Sequence, residues 1–147
     1  YETAGPLQLL ENETRIKQKE HGTVLKNRKI LIVDDNRSVH ILLAAIFRKY
    51  EAVPISAETA YGAFEIIENQ NNIDIVLLDI QLPDIDGTVA VAKIKDIRPS
   101  LPVIAQTANA LEDDRRRYLE LGFDGYVSKP YNREELIRTV CSLINNP

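Results

Sequence analysis

The sequence contains no methionine, no tryptophan and only one cysteine, Cys141, among its 147 residues. A lone cysteine forms no disulfide within the chain, which favours a reducing, cytoplasmic compartment. No apolar run approaches the ~20 residues of a membrane helix and no secretory leader pattern is present, so we expect no membrane contact by this segment. Because translation starts with methionine, its absence leads us to expect a segment of a larger parent, which can itself be membrane-anchored.

The net charge of −4 is unevenly distributed along the chain. Residues 1–29 have a basic excess, whereas residues 30–147 have an acidic excess. An acidic body argues against direct nucleic-acid binding, because the phosphate backbone selects basic surfaces. The polar composition of residues 1–27 buries little surface and predicts a linker or frayed helix, followed by one folded domain over residues 28–147.

From residue 28 onward, short apolar runs alternate with segments whose apolar residues recur at helical spacing. The predicted strands cover residues 29–33, 51–55, 73–78, 102–106 and 125–128. The predicted helices cover residues 37–50, 57–70, 86–97, 109–121 and 132–144. Five strand–helix units in regular alternation predict an α/β fold in which a parallel sheet carries helices on both faces. Binding sites in such sheets form at the carboxyl ends of the strands.

Side chains that can bind a metal or a phosphate follow four of the predicted strands. They are Asp34 and Asp35, then Asp79, Thr107 and Lys129. Two unit charges ~4 Å apart repel by about 4 kcal/mol at an effective dielectric near 20, so three converging acids predict a Mg²⁺ site. A carboxylate beside that cation, Asp79, can attack phosphorus and become an aspartyl phosphate. The Thr107 hydroxyl and the Lys129 ammonium would hold the transferred oxygens.

Each of these residues also has a purely structural interpretation. Asp34 or Asp35 can cap the following helix, and Asp79 can be a turn residue at a strand end. Thr107 can be an ordinary β-branched strand residue, and Lys129 a surface lysine before a turn. The occurrence of all five at strand ends favours phosphoryl transfer.

Four pieces of the sequence, in order and on the predicted elements, resemble the receiver domain of two-component response regulators and hybrid histidine kinases. They are ILIVDDN over residues 30–36, DIQLP over 79–83 with Gly87, VIAQTANA over 103–110, and GYVSKP over 125–130. The resemblance implies a five-stranded parallel sheet of order 2-1-3-4-5 with five helices on both faces, a flavodoxin-like three-layer sandwich.

The resemblance also implies a metal site and a phosphorylation site. Asp79 would be the phosphoacceptor and would bind Mg²⁺ together with Asp35 and the backbone carbonyl of Gln81. Asp34 would act on the metal mainly through a bound water.

Further roles implied by the resemblance concern the response to phosphorylation. Thr107 and Lys129 would hold the phosphoryl oxygens, and Tyr126 would be the switch aromatic that moves inward as the Thr107 hydroxyl is drawn to phosphate. The Lys129–Pro130 bond would be cis, which is energetically accessible for an X-Pro bond. Gln106 stands where many relatives have an apolar residue, so we expect different packing beneath Thr107.

The implied partner is a histidine kinase or a histidine phosphotransfer domain, docking on the first helix or on the face from the fourth strand to the fifth helix. The motifs QTANA over residues 106–110 and SKPY over 128–131 indicate the C-terminal receiver of a hybrid sensor histidine kinase. Such a segment catalyses only its own phosphorylation and dephosphorylation, within a parent that is a histidine kinase. A stand-alone response regulator without an output domain is the alternative, and a homodimer is left open.

Two other functional classes fit the sequence less well. An aspartate-nucleophile phosphohydrolase needs a second acid two residues after the nucleophile, where Gln81 stands. A flavodoxin-like FMN carrier needs a Ser/Thr/Gly-rich phosphate loop after the first strand, where Asp34 and Asp35 would repel phosphate. We expect His40 to be a partly exposed helical residue without a metal role, and Cys141 to pack as a small apolar side chain.

Overall fold

The structure, a computed structural model, describes residues 20–108 and 112–144. Five strands alternate with five helices, and a short helical segment over residues 20–25 precedes them. The strands are β1 (Lys29–Val33), β2 (Val53–Ala57), β3 (Ile75–Asp79), β4 (Val103–Thr107) and β5 (Gly125–Ser128). The helices are α1 (Arg37–Arg48), α2 (Ala60–Asn69), α3 (Gly87–Ile97), α4 (Glu112–Leu121) and α5 (Arg133–Ile144).

The five strands form one parallel sheet in the order β2-β1-β3-β4-β5, which confirms the predicted topology. The chain leaves β1 toward β2 on one side and returns to β3 on the other. The strand order therefore reverses between β1 and β3, which is where α/β sheets place their sites. Strands β3 and β4 are buried at all five positions, because helices cover both faces of the sheet.

Two apolar clusters make the domain a three-layer sandwich. The first lies between the sheet and α2, α3 and α4, and includes Phe64 and Val91. The second lies between the sheet and α1 and α5, and includes Phe47 and Val140. Cys141 belongs to the second cluster, where burial raises the pKa of its thiol to about 11. It packs as the small apolar side chain that the sequence predicted.

Side-chain caps determine where the helices begin. Asn36 accepts a hydrogen bond of 2.9 Å from the Ser38 amide at the start of α1. This helix is therefore capped by Asn36, and the interpretation of Asp34 or Asp35 as its cap is wrong. Asn132 accepts from the Glu135 amide at 3.1 Å at the start of α5. Helix α4 ends before Gly122, whose φ of +108° suits glycine.

Several predicted boundaries differ from the observed ones because turn residues occupy the ends of the predicted elements. Strand β2 starts two residues later than expected, since Glu51 adopts a left-handed conformation with φ 60° in the turn after α1. Helix α2 starts at Ala60, because Ala57 still pairs with Val33 in the sheet. Strands β3 and β4 run one residue further, and the predicted start of α4 at residue 109 lies outside the described residues.

Not every apolar residue at helical spacing faces the core: Leu42 and Val89 are 48% and 52% exposed. His40 was predicted to be partly exposed, but it is buried. The apolar stripe of α1 is rotated so that His40, Leu43 and Phe47 face the sheet. Among the helices of the described ranges, none has the length and apolarity needed to cross a membrane.

The segment before β1 contributes a core side chain. Leu25 is completely buried in the second cluster, with Val24 packed against it. The Asn27 amide donates to the Glu51 carbonyl at 2.9 Å, which ties the segment to the turn after α1. The domain boundary at residue 28 stays a prediction, and the burial of Leu25 leads us to expect that the folding unit starts upstream of it.

The loop after β3 caps a helix on the neighbouring layer. The carboxylate of Asp84 accepts from the amides of Ala60 and Tyr61, at 3.1 and 2.9 Å, at the start of α2. Slight burial opposes the charged form of Asp84, but these backbone hydrogen bonds outweigh it and lower the pKa of this carboxyl. The ionised form is therefore the stabilising one.

We predict that Leu25→Ala lowers the free energy of unfolding by about 2–5 kcal/mol, the usual cost of truncating a buried leucine. Urea unfolding followed by circular dichroism measures it. The matched control is Leu42→Ala, the same truncation at a half-exposed position. Equal and small losses for the two variants would mean that residues 20–27 are only a linker.

We predict that Asp84→Asn makes the domain less stable at neutral pH and that this difference disappears in acid. Because the folded-state pKa is lowered, the stabilisation is present above the unfolded pKa of about 3.9 and is lost as pH falls through the folded value. Urea unfolding at a series of pH values measures it. Glu58→Gln removes the same charge from an exposed position near α2 and should leave the acid dependence unchanged.

Candidate functional site

Three carboxylates meet at the crevice between β1 and β3. Asp34 directly follows β1, Asp79 is the last residue of β3, and the two strands are neighbours in the sheet. One oxygen from each of Asp34, Asp35 and Asp79 lies within 4.8 Å of the other two. Asp34 is fully buried and Asp79 is 8% exposed, whereas Asp35 is open to solvent. The cluster is therefore an acidic site that solvent reaches at Asp35.

One ammonium group reaches this cluster from the end of β5. The Lys129 Nζ lies 2.8 Å from Asp34 Oδ2 and 3.5 Å from Asp79 Oδ2. Its single positive charge offsets one of three negative charges, so the site keeps an excess of negative charge. Such an excess suits a hard divalent cation with oxygen ligands.

The ionisation of the pocket reflects this crowding. Burial raises the pKa of Asp79 above its ordinary value and the Asp34 charge adds to it, although the Gln81 amide and Lys129 favour the carboxylate. Burial opposes the charged form of Lys129, but its hydrogen bond to Asp34 and the charge of Asp79 outweigh burial and raise its pKa. Lys129 therefore stays protonated, and its single positive charge interacts with both buried carboxylates, Asp34 and Asp79.

The loop after β3 holds the Asp79 carboxylate through the backbone. The Gln81 amide donates to Asp79 Oδ1 at 3.0 Å, and the Gly87 amide donates to the Ile80 carbonyl at 2.8 Å. A Cβ on Gly87 would lie 2.5 Å from the Asp79 carbonyl oxygen and 2.7 Å from Ile80 Cα. Only glycine permits α3 to begin so close to this strand end.

The predicted hydroxyl lies at the end of β4, where the Thr107 carbonyl accepts a hydrogen bond of 2.8 Å from the Lys129 amide. Thr107 is 7% exposed at the end of β4, and the Tyr118 hydroxyl donates to its Oγ1 at 3.2 Å. Tyr126 packs against the first apolar cluster, to which Tyr118 belongs, and the two ring centroids are 6.3 Å apart. Thr107 is thus linked to an aromatic pair at the α4–β5 side of the domain.

Gln106 introduces a polar contact where an apolar residue was the family expectation. Its side chain is fully buried, and the Tyr131 hydroxyl donates a hydrogen bond to its Oε1. Tyr131 follows the Lys129–Pro130 peptide bond, which is cis. Burial raises the pKa of the Tyr131 phenol, and the charges of Asp34 and Asp79 add to the increase. The phenol stays neutral and donates, which anchors the residues next to Lys129.

The structure brings four of the predicted site residues into one pocket: Asp34, Asp35, Asp79 and Lys129. Thr107 ends the adjoining strand, and Tyr126 lies beside Tyr118 against the first apolar cluster. The metal-binding role of the Gln81 carbonyl stays a prediction.

Sequence reasoning missed three residues in or next to this set. His40 contacts Asp34, Tyr118 contacts Thr107, and Tyr131 contacts Gln106, the neighbour of Thr107. Only the polar Gln106 within a buried apolar strand signalled that a hydrogen-bond partner had to exist.

Known proteins share both sequence and fold with the chain. The sequence profile described as the response regulator receiver domain matches residues 30–141. Histidine kinase 3 of Arabidopsis thaliana is 33% identical over 146 residues, covering 84% of this chain and 14% of that protein. Sensor protein GacS of Pseudomonas syringae is 32% identical over 126 residues, covering 81% of this chain and 14% of that protein. The chain thus spans about one seventh of these relatives, at 14% each.

Solved structures agree with this assignment. A response regulator receiver domain protein from Methanospirillum hungatei superposes with a TM-score of 0.74 at 29% identity, covering 82% of this chain and 95% of that one. A two-component response regulator from Clostridium difficile gives a TM-score of 0.74 at 26% identity, with coverages of 82% and 98%. The family match over residues 30–141, the strand order and the acidic crevice lead to one assignment: the chain belongs to the response regulator receiver domain family of two-component systems.

Proposed function

We propose that this receiver domain accepts a phosphoryl group from a phosphohistidine onto Asp79, with Mg²⁺ bound in the acidic cluster. The observation that carries the proposal is the meeting of three carboxylates with one ammonium at the crevice between β1 and β3. Of the three acids, Asp79 belongs to a strand and is held by the Gln81 amide, which suits a nucleophile of fixed direction.

The donor set fits Mg²⁺. Three carboxylate oxygens lie within 4.8 Å of one another and Lys129 neutralises only one charge, so a divalent cation would relieve the remaining repulsion. Asp35, Asp79 and the backbone carbonyl of Gln81 would hold the ion, with Asp34 acting through a bound water. When bound, Mg²⁺ supplies charge neutralisation to phosphate oxygens.

The residues of the chain then have distinct tasks in transfer. An oxygen of Asp79 forms a bond to phosphorus while the bond from phosphorus to the donor imidazole nitrogen breaks, and that nitrogen keeps the electron pair. The Lys129 ammonium, already 3.5 Å from Asp79, would follow the charge as it spreads onto the phosphoryl oxygens. A compact point charge on a flexible stem is suited to that movement.

The response to phosphorylation would pass through Thr107. Its hydroxyl accepts a hydrogen bond from Tyr118, and it would move to donate to a phosphoryl oxygen. Tyr118 and Tyr126 lie in contact on that face, so a change at Thr107 would release the Tyr118 hydroxyl and let Tyr126 move inward. The surface formed by α4 and β5 would therefore report the state of Asp79.

We further propose that the parent protein is a hybrid histidine kinase and that the phosphohistidine partner docks on α1. This helix starts two residues after Asp35 and exposes two adjacent apolar side chains, Ile41 at 67% and Leu42 at 48%. A helical phosphotransfer domain that covered them would bury apolar area while bringing its histidine to the crevice. A cytoplasmic location accompanies this proposal.

We predict that beryllofluoride with Mg²⁺ raises the melting temperature of the domain and that Asp79→Asn abolishes the rise. Beryllofluoride mimics a phosphoryl group on a carboxylate, and ligand that binds only the folded state stabilises it. Differential scanning calorimetry measures the shift. Asp96→Asn makes the same change on the exposed face of α3 and should retain the full shift. A shift that persists in Asp79→Asn would remove Asp79 from the mechanism.

We predict that Ile41→Glu slows phosphoryl transfer from a phosphorylated histidine phosphotransfer domain by about tenfold or more, a loss typical of an interface anchor. The same variant should keep the full beryllofluoride shift, because the pocket is intact. Transfer is followed by loss of label from the donor. Val89→Glu places the same charge on exposed α3 and is the control. Equal transfer rates for both variants would contradict docking on α1.

A further inference from the structure

The side chain of His40, on helix α1, contacts the backbone of the acidic site. Its side chain is buried, at 8% exposure of the residue, and its Nε2 lies 2.6 Å from the backbone carbonyl oxygen of Asp34. A carbonyl oxygen only accepts hydrogen bonds, so Nε2 carries the hydrogen and donates it. The contact joins α1 to the residue that directly follows β1.

This hydrogen bond is one of several that hold the backbone and side chain of Asp34 in place. Its amide donates to the Ala57 carbonyl at 3.1 Å, which extends the pairing of β1 with β2 by one residue. Its Oδ1 accepts from the Asn36 amide at 2.9 Å, and its Oδ2 is 2.8 Å from Lys129 Nζ. The carbonyl lies beyond the end of the β1 ladder, and His40 supplies its donor.

The carbonyl of Asp34 also controls the direction of Asp35. The Asp34 carbonyl and the Asp35 amide belong to one rigid peptide plane, so turning that plane changes the backbone torsions on both sides of it. The side chain of Asp35 is exposed and is not held by packing. Its direction toward Asp34 and Asp79 therefore depends on how this peptide plane is oriented.

We propose that His40 is a positioning residue of the metal pocket, which orients the Asp34–Asp35 peptide by hydrogen bonding to the Asp34 carbonyl and so presents the carboxylates of Asp34 and Asp35 to the cation. The inference rests on the proposed Mg²⁺-dependent function and adds a residue to it. Outer contacts that orient metal ligands typically change metal affinity by about 10- to 100-fold when they are lost.

A simple packing role makes a different prediction. Leu43 and Phe47 lie on the same buried stripe of α1, and there volume and apolarity decide stability. If His40 only filled space, an apolar residue of similar size would replace it without loss at the metal site. If the N–H donor is required, a glutamine, whose terminal amide carries N–H donors, would serve where leucine does not.

The test compares His40→Leu with His40→Gln by titrating Mg²⁺ alone into each protein, observed by nuclear magnetic resonance of the backbone amides. We expect His40→Leu to weaken Mg²⁺ binding by about tenfold or more and His40→Gln to recover most of it. Urea unfolding without Mg²⁺ confirms that each variant is folded. Affinities of the leucine variant equal to wild type, or equal losses in both folded variants, would overturn the proposal.

A measurement on the unmutated protein decides the matter if the leucine variant does not fold. Nitrogen chemical shifts of the His40 imidazole should show a protonated Nε2 at neutral pH. An unprotonated Nε2 would overturn the proposal, because it could not donate to a carbonyl. Failure of the unmutated protein to bind Mg²⁺ at all would instead remove the proposed function, and the role of His40 with it.

Discussion

The contact on which the site depends is that of the Lys129 ammonium with two buried carboxylates. Lys129 lies 2.8 Å from Asp34 and 3.5 Å from Asp79, and Asp34 has no exposed surface. Two acids at adjacent strand ends would repel each other and would favour protonation without a nearby cation. Burial and Asp34 do raise the pKa of Asp79, and Lys129 limits the increase. The pocket is thus held in a charged but incompletely neutralised state, which favours binding of a divalent cation.

Residues next to the site lie on both faces of the parallel sheet. Tyr131, which binds Gln106, packs against the apolar cluster covered by α1 and α5. Thr107, Tyr118 and Tyr126 lie on the face covered by α2, α3 and α4. Because successive strand residues point to opposite faces, Gln106 and Thr107 reach both sets from neighbouring positions of β4. The two sets are therefore joined through adjacent residues of one strand.

Backbone contacts make the loop after β3 a rigid part of this arrangement. Gly87 approaches the Asp79 backbone too closely for any side chain, and Asp84 caps α2 on the neighbouring layer. The loop that carries Asp79 and Gln81 is therefore attached at both of its sides. Such attachment fixes the direction of the Asp79 carboxylate before any ligand arrives, which reduces the ordering required on binding.

The sequence by itself determined the strand–helix alternation, the α/β class and the placement of Asp34, Asp79, Thr107 and Lys129 at strand ends. These features follow from local periodicity and from residue types next to apolar runs, both of which can be read along the chain. Only the tertiary structure decided that His40 is buried, that Tyr118 binds Thr107, that Tyr131 binds Gln106 and that Leu25 enters the core. Each of these depends on how a helix is rotated against the sheet or on which distant segment lies opposite. Local periodicity carries no information about those two quantities, because they result from packing between elements that are far apart in the chain.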